Sequence, residues 1–135
     1  MYLKSFEEVR DRIANFTFRE KFDMIVAVAN GGIIPAAMLN QSLDLELQLL
    51  KVHLRDASQK PVYDSPRLVE DFKFDVKGKN ILLVEDRVKT GASLAFAQKI
   101  LLNAGALSVK TFAVNGKADY CLYDESCFQF PWIIR

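Results

Sequence analysis

Glu85 and Asp86 are adjacent carboxylates at the end of an apolar run, and Thr90-Gly91-Ala92-Ser93 follows after one short turn. Two neighbouring carboxylates can accept hydrogen bonds from sugar hydroxyls or approach a magnesium ion through water. The small, hydroxylated residues after them suit the first turn of a helix. There the backbone N–H groups point outward unpaired and carry the positive end of the helix dipole, so they bind a phosphate readily. Thr90 and Ser93 add hydroxyl donors, and Gly91 lets the chain approach an anion closely. Taken singly, these pieces are an ordinary solvated strand end and an ordinary N-cap. In this order, residues 81–93 describe a pocket for a phosphorylated sugar.

A second constellation occupies residues 26–37. The apolar run Val26-Ala27-Val28-Ala29 meets Asn30-Gly31-Gly32, and a helix with Pro35 in its first turn follows. The Gly-Gly turn offers backbone amides to an anion. A lone Gly-Gly is more often just a turn; its weight comes from the pairing of two such strand-to-helix junctions in one chain.

The elements around these junctions can be read from the hydrophobic pattern. Ser5 and Glu8 form a capping-box pair, and Phe6, Val9, Ile13 and Phe16 recur at helical spacing, which predicts a helix over 6–16. Residues 24–29 and 80–84 are continuous apolar runs, as expected of strands buried on both faces. Pro35 is tolerated in the first turn of a helix over 33–43, because its missing N–H would have no partner there. Further strands are expected over 47–54 and 109–114, and a third helix after Gly91 ends near Gly105. Asn115-Gly116 reads as a turn, leaving 119–135 as an aromatic-rich C-terminal segment. Residues 55–78 hold Pro61, Pro66 and many charges with little periodicity, which fits either a functional flap or a plain surface loop. Strands alternating with helices predict an α/β fold: one domain over 1–135, with a parallel sheet covered on both faces. In such sheets ligands bind beyond the carboxyl ends of the strands.

Composition narrows the function classes. A chain of 135 residues with 50% hydrophobic and 26% charged residues belongs with ordinary globular domains rather than disordered or coiled-coil sequences. Eighteen basic and seventeen acidic residues leave a net charge of +1, so no global positive field exists to hold nucleic acid or an anionic membrane. No apolar stretch approaches the ~20 residues needed to span a bilayer, and the charged N-terminus has no signal core, which together predict the cytoplasm. Cys121 and Cys127 are read as free thiols in that compartment. A nucleophilic pairing of cysteine with His53, the one histidine, is the weaker reading, because nothing near Cys127 would lower its pKa. Neither a G-x-x-x-x-G-K-[ST] nor a G-x-G-x-x-G motif occurs, which removes P-loop kinases and dinucleotide binding. A receiver-domain reading of Glu85-Asp86 also fails, since too little chain follows to supply its phosphorylated aspartate.

At this point the sequence resembles the type I phosphoribosyltransferases. ILLVEDRVKTGAS is similar to the family's signature for phosphoribosyl pyrophosphate, and AVANGGIIPAAML to its pyrophosphate loop. The C-terminal run from Tyr120 to Trp132 resembles the xanthine-guanine and hypoxanthine branch, whose small hood closes over a purine. The resemblance implies a Rossmann-like parallel sheet with a mobile flap at about 55–78 and a hood at about 117–135. It implies that the 5′-phosphate sits on Val88, Lys89, Thr90, Gly91, Ala92 and Ser93, and pyrophosphate on Ala29, Asn30, Gly31 and Gly32. Glu85 and Asp86 would hold the ribose hydroxyls, with Mg2+ carried on the substrate's oxygens. Glu85, Asp86 and Lys89 become the catalytic candidates for displacement of pyrophosphate by a ring nitrogen of a purine-type base. The partners implied are these small molecules and a second copy of the chain as a homodimer.

Departures from the family pattern gather on the base side. Arg87 stands where the signature usually has a small aliphatic residue. Lys89 replaces the aspartate that handles the purine N7 proton, and a protonated amine cannot accept that proton. The base-contacting lysine falls at Val114, with Lys117 close by, and the stacking aromatic falls near Cys127, with Phe128 adjacent. Asn30 stands in place of the loop's usual Arg or Lys. These positions keep a second reading open, a domain of this fold that binds phosphoribosyl pyrophosphate or a nucleotide as a regulator. The remaining aromatics Phe16, Phe18, Phe22, Phe72 and Phe74 are assigned to core or interface.

Overall fold

The continuous apolar runs become central strands whose alternate side chains feed two separate cores. In the computed structural model, which describes residues 2–53, 67–68 and 72–134, the elements are α1 (Phe6–Ala14), β1 (Met24–Ala29), α2 (Ile33–Leu43), β2 (Glu46–His53), β3 (Arg67–Leu68), β4 (Asn80–Arg87), α3 (Ala92–Asn103), β5 (Ser108–Asn115) and β6 (Tyr120–Tyr123). They form one sheet in the order β3-β2-β1-β4-β5-β6. β1, β2, β4, β5 and β6 are parallel, and β3 pairs antiparallel with the end of β2.

Successive residues of a strand point to opposite faces. Ile25, Ala27, Leu82, Val84, Phe112 and Val114 pack beneath α1 and α2, through Val9, Ile13, Ala36 and Leu39. Met24, Val26, Val28, Ile81, Leu83 and Val109 pack beneath α3, through Leu94, Ala97 and Leu101. Both faces of the parallel sheet are therefore covered by helices, as expected.

Several boundaries differ from the sequence reading. α1 stops at Ala14, because the Asn15 side chain bonds back to the Asp11 carbonyl and ends the turn. Phe16 lies beyond it and joins the aromatic cluster of Phe18, Phe112 and Tyr120. Ser5 caps α1 by accepting from the Glu8 N–H, but the Glu8 carboxylate accepts from the Tyr123 hydroxyl at 2.7 Å and faces Lys4 at 3.5 Å. β4 runs on to Arg87 because Glu85 and Arg87 still pair with Ala113 and Asn115 of β5, so the two carboxylates are part of the strand rather than beyond it. Most of the 55–78 stretch lies outside the described residues. Its last part packs Val76 into the core under α3, with Phe72 and Phe74 alongside.

The C-terminal segment opens with a sheet strand, β6, parallel to β5. The chain then returns across the sheet to bridge Leu3 at Gln129 and buries Phe128 and Phe130 in the α1/α2 core. Among the described residues no helix is long and apolar enough to cross a membrane.

Candidate phosphate and sugar site

The chain leaves β1 toward β2 on one side and later returns to place β4 on β1's other side. The tips of β1 and β4 thus flank the point where the winding reverses, and an open parallel sheet forms a crevice at such a point. Both constellations singled out from the sequence lie at this crevice.

At the β1 tip, the Ala29–Asn30 peptide bond is cis. The Gly32 N–H donates to the Val28 carbonyl at 2.8 Å, and the Ile33 N–H donates to the Asn30 carbonyl at 3.1 Å. Neither amide is therefore as free as the bare turn suggested. The glycines are required by crowding. A β carbon on Gly32 would stand 2.2 Å from the Val84 carbonyl oxygen, and one on Gly31 would stand 2.6 Å from the carboxylate of Asp86. The two tips consequently touch through Gly31 and Asp86.

At the β4 tip the carboxylates are pinned by main-chain donors. Glu85 accepts from the Asp86 N–H at 2.9 Å, and Asp86 accepts from the Arg87 N–H at 2.6 Å. Burial, reinforced by the negative charge of Asp86, pushes the Glu85 carboxyl well above the usual carboxylate range.

Residues 88–91 then form the turn into α3. The Thr90 hydroxyl accepts from the Ala92 N–H at 3.2 Å. Gly91 adopts a left-handed conformation with φ 85°, and no side chain caps the helix there. Beyond the Ala92 N–H that Thr90 takes, the start of α3 keeps outward amides for an anion. The turn leans on the β5 tip, where the Val88 N–H donates to the Asn115 carbonyl at 2.9 Å. Gly116, at φ 127°, lies so close that a β carbon would meet the Val88 carbonyl at 2.4 Å. The supporting role of Asn115 and Gly116 was not assigned from sequence; the Asn-Gly pair was the available signal.

The base-side candidates separate. Lys117 and Cys127 are exposed, as is Lys89 in the phosphate turn. Val114 and Phe128 have no exposed surface. Val114 alternates into the α1/α2 core, and Phe128 is enclosed by the rings of Tyr2, Tyr123 and Phe130. Their side chains present no face to a ligand in this arrangement.

Arg87 turns toward the C-terminal segment. Its Nη2 donates to the Phe128 carbonyl, and its guanidinium lies over the Phe130 ring at 4.8 Å. Phe130 stacks in turn on Trp132 at 5.0 Å. Arg87 Nε and Trp132 Nε1 are buried without a partner among the described residues. Asn115 secures the same segment, donating to the Glu125 carbonyl and accepting from the Glu125 N–H, each at 3.1 Å.

No cluster of three metal-ligating side chains occurs among the described residues. Glu85 and Asp86 nevertheless suit a hard divalent cation carried by phosphate oxygens, since Mg2+ commonly takes one or two protein carboxylates and keeps the rest of its shell.

The chain is similar in sequence and fold to known proteins. The family described as the phosphoribosyl transferase domain matches residues 3–130. An orotate phosphoribosyltransferase of Sulfurisphaera tokodaii is 31% identical over 104 residues, covering 77% of this chain and 47% of that protein. The chain thus spans about half the length of that relative. A xanthine-guanine phosphoribosyltransferase of Idiomarina loihiensis is 26% identical over 118 residues, covering 84% of this chain and 72% of the relative. The crystal structure of a purine phosphoribosyltransferase from Pyrococcus horikoshii superposes with a TM-score of 0.81 at 26% identity, covering 99% of this chain and 97% of that one.

Proposed function

Because the chain belongs to the phosphoribosyl transferase domain family, we propose that it moves the 5-phosphoribosyl group from phosphoribosyl pyrophosphate to a nitrogenous base, releasing pyrophosphate. The observation that supports this reading is the close approach of Gly31 to Asp86, which brings the loop proposed for the diphosphate against the carboxylates proposed for the sugar. Similarity to a purine enzyme over nearly the whole of both chains favours a purine-type acceptor and a role in nucleotide salvage.

In this reading the 5′-phosphate rests on residues 88–93, on the outward amides at the start of α3. Glu85 and Asp86 take the ribose hydroxyls, and residues 29–32 take the pyrophosphate. Departure of pyrophosphate leaves positive charge on the sugar. Asp86, already fixed by the Arg87 N–H, stabilises that charge without reorganising, which is where preorganised groups lower a barrier most. Glu85 and Asp86 would hold the Mg2+ that travels with the substrate, whose contribution is to neutralise the diphosphate as it leaves.

The test is to mix the protein with Mg2+, phosphoribosyl pyrophosphate and, one at a time, adenine, guanine, hypoxanthine, xanthine, orotate and uracil, and to measure pyrophosphate. Release with a purine is expected. Release with orotate or uracil alone would move the acceptor to the pyrimidines. Tight binding without release for any acceptor would favour the regulatory reading, for which Lys89 in the phosphate turn is the specific feature. Absence of binding would overturn both.

A further inference from the structure

A diphosphate carries several negative charges, and the β1 tip is poorly equipped to hold them alone. Residues 29–32 bring no basic side chain. The Gly32 and Ile33 amides are engaged within the loop, and the Asp86 carboxylate lies against Gly31, where it repels an anion. Beside the Mg2+ that travels with the substrate, a cation from outside the loop would strengthen diphosphate binding at this end of the crevice.

The sheet register supplies one. Ala29, the last residue of β1, pairs with Lys51 of β2, and adjacent strands stand about 4.8 Å apart. Leu50 points into the core under α3, while Leu47 packs on the α2 side. Strand alternation therefore puts Lys51 on the α2 side, the side on which the loop enters the helix. Lys51 is exposed and, among the described residues, has no carboxylate within ion-pair distance. It shares with Ala29, Asn30, Ile33 and Phe72 the lining of a cavity of about 250 Å³ at these strand ends.

We propose that Lys51 is a diphosphate-binding residue, supplying from β2 the positive charge that Asn30 does not supply from the loop. This rests on the transferase reading above and adds a residue and a strand to its diphosphate end. Negative charge on the diphosphate grows as its bond to the sugar breaks, so Lys51 assists departure as well as binding.

Calorimetry in Mg2+ with inorganic pyrophosphate, phosphoribosyl pyrophosphate and ribose 5-phosphate, on the wild type, Lys51→Gln and Lys51→Arg, tests this. Lys51→Gln is expected to weaken pyrophosphate and phosphoribosyl pyrophosphate by about tenfold or more, the scale of a lost hydrogen bond to a charged group. Ribose 5-phosphate should bind Lys51→Gln as it binds the wild type, and Lys51→Arg should retain most of the diphosphate affinity. Wild-type affinity of Lys51→Gln for pyrophosphate would overturn the inference while leaving the transferase reading intact. Equal weakening of ribose 5-phosphate would overturn it too, since the effect would not belong to the diphosphate. A wild-type protein that binds neither pyrophosphate nor phosphoribosyl pyrophosphate would remove the transferase reading, and the inference with it.

Discussion

Gly31 and Asp86 are in such close apposition that a single methyl group at position 31 would lie 2.6 Å from all three carboxylate atoms. Because the obstructing group is a side chain, Gly31→Ala should fold but push Asp86 out of place. We expect its affinity for phosphoribosyl pyrophosphate to fall by about tenfold, the cost of one misplaced charged hydrogen bond, with little change in Tm. Gly32→Ala meets main-chain oxygens of Val84 and Val28 instead, and neither can yield without distorting a central strand. It should lose about 1–3 kcal/mol of stability or more. Thermal melts and calorimetry on the two variants separate the effects. Equal melting temperatures would show that the tips are not packed this tightly.

Asp86→Asn keeps the shape of the side chain and removes its charge. Phosphoribosyl pyrophosphate should bind more weakly and turnover should fall by at least about a hundredfold, as when a preorganised charge-stabilising group is lost. The companion variant Lys89→Asp places a carboxylate where the family resemblance implies one that handles the purine's proton, and should raise turnover with a purine. Initial rates of pyrophosphate release report both. An Asp86→Asn variant with wild-type affinity and rate would remove the ribose assignment.

Arg87 fastens the β4 tip to the C-terminal segment through the Phe128 carbonyl and the Phe130 face. Arg87→Val gives up that hydrogen bond and the cation–π contact, each worth about 0.5–2 kcal/mol. The expected result is a lower Tm together with faster amide exchange over residues 124–134, while strands β1 and β4 keep their protection. Unchanged exchange in the C-terminal segment would mean that Asn115 and the aromatic packing hold it without Arg87.

The parts of this fold that are legible in the sequence are those fixed by neighbours along the chain. β1 and β4 read as strands because burial on both faces requires unbroken apolar runs, and each run ends at residues whose chemistry is local: Asn30-Gly31-Gly32 and Glu85-Asp86. What pairing creates across the sheet was hidden. Tyr120–Tyr123 is a four-residue segment between Asp119 and Asp124 whose strand character comes from its partners in β5. Phe128 is flanked by Cys127 and Gln129, both exposed, so nothing in its neighbourhood announces that rings from distant segments enclose it. Lys51 is one lysine among many until the register sets it beside Ala29.

The N- and C-terminal segments are joined by a buried cation, and its chemistry fixes a pH window. Lys4 is 8% exposed. Its ammonium pairs with Glu125 at 2.9 Å and Glu8 at 3.5 Å, and lies over the rings of Tyr123 and Phe128. Tyr2 donates to Glu125 at 2.5 Å and Tyr123 to Glu8 at 2.7 Å. The hydrogen bond with Tyr2, with help from Glu125, raises the Lys4 pKa above its ordinary 10.5. Burial, with the bond to Glu8, pushes the Tyr123 phenol up to about 12. Hydrogen bonds from Tyr123 and Tyr2, supported by Lys4, hold Glu8 and Glu125 below their ordinary 4.5. A lowered carboxylate stabilises the fold above its ordinary value and loses that contribution as pH falls through the lowered one. The raised amine and phenol contribute fully below 10 and lose it as pH climbs through their folded values. Lys4→Met should therefore melt below the wild type at neutral pH, by the ion-pair contacts it gives up. The gap should narrow in acid, once pH falls through the lowered values at which Glu8 and Glu125 take up protons. Melting curves of both proteins at neutral and acid pH decide it: a gap as wide in acid as at neutrality would mean that Lys4 stabilises through its aliphatic stem rather than its charge.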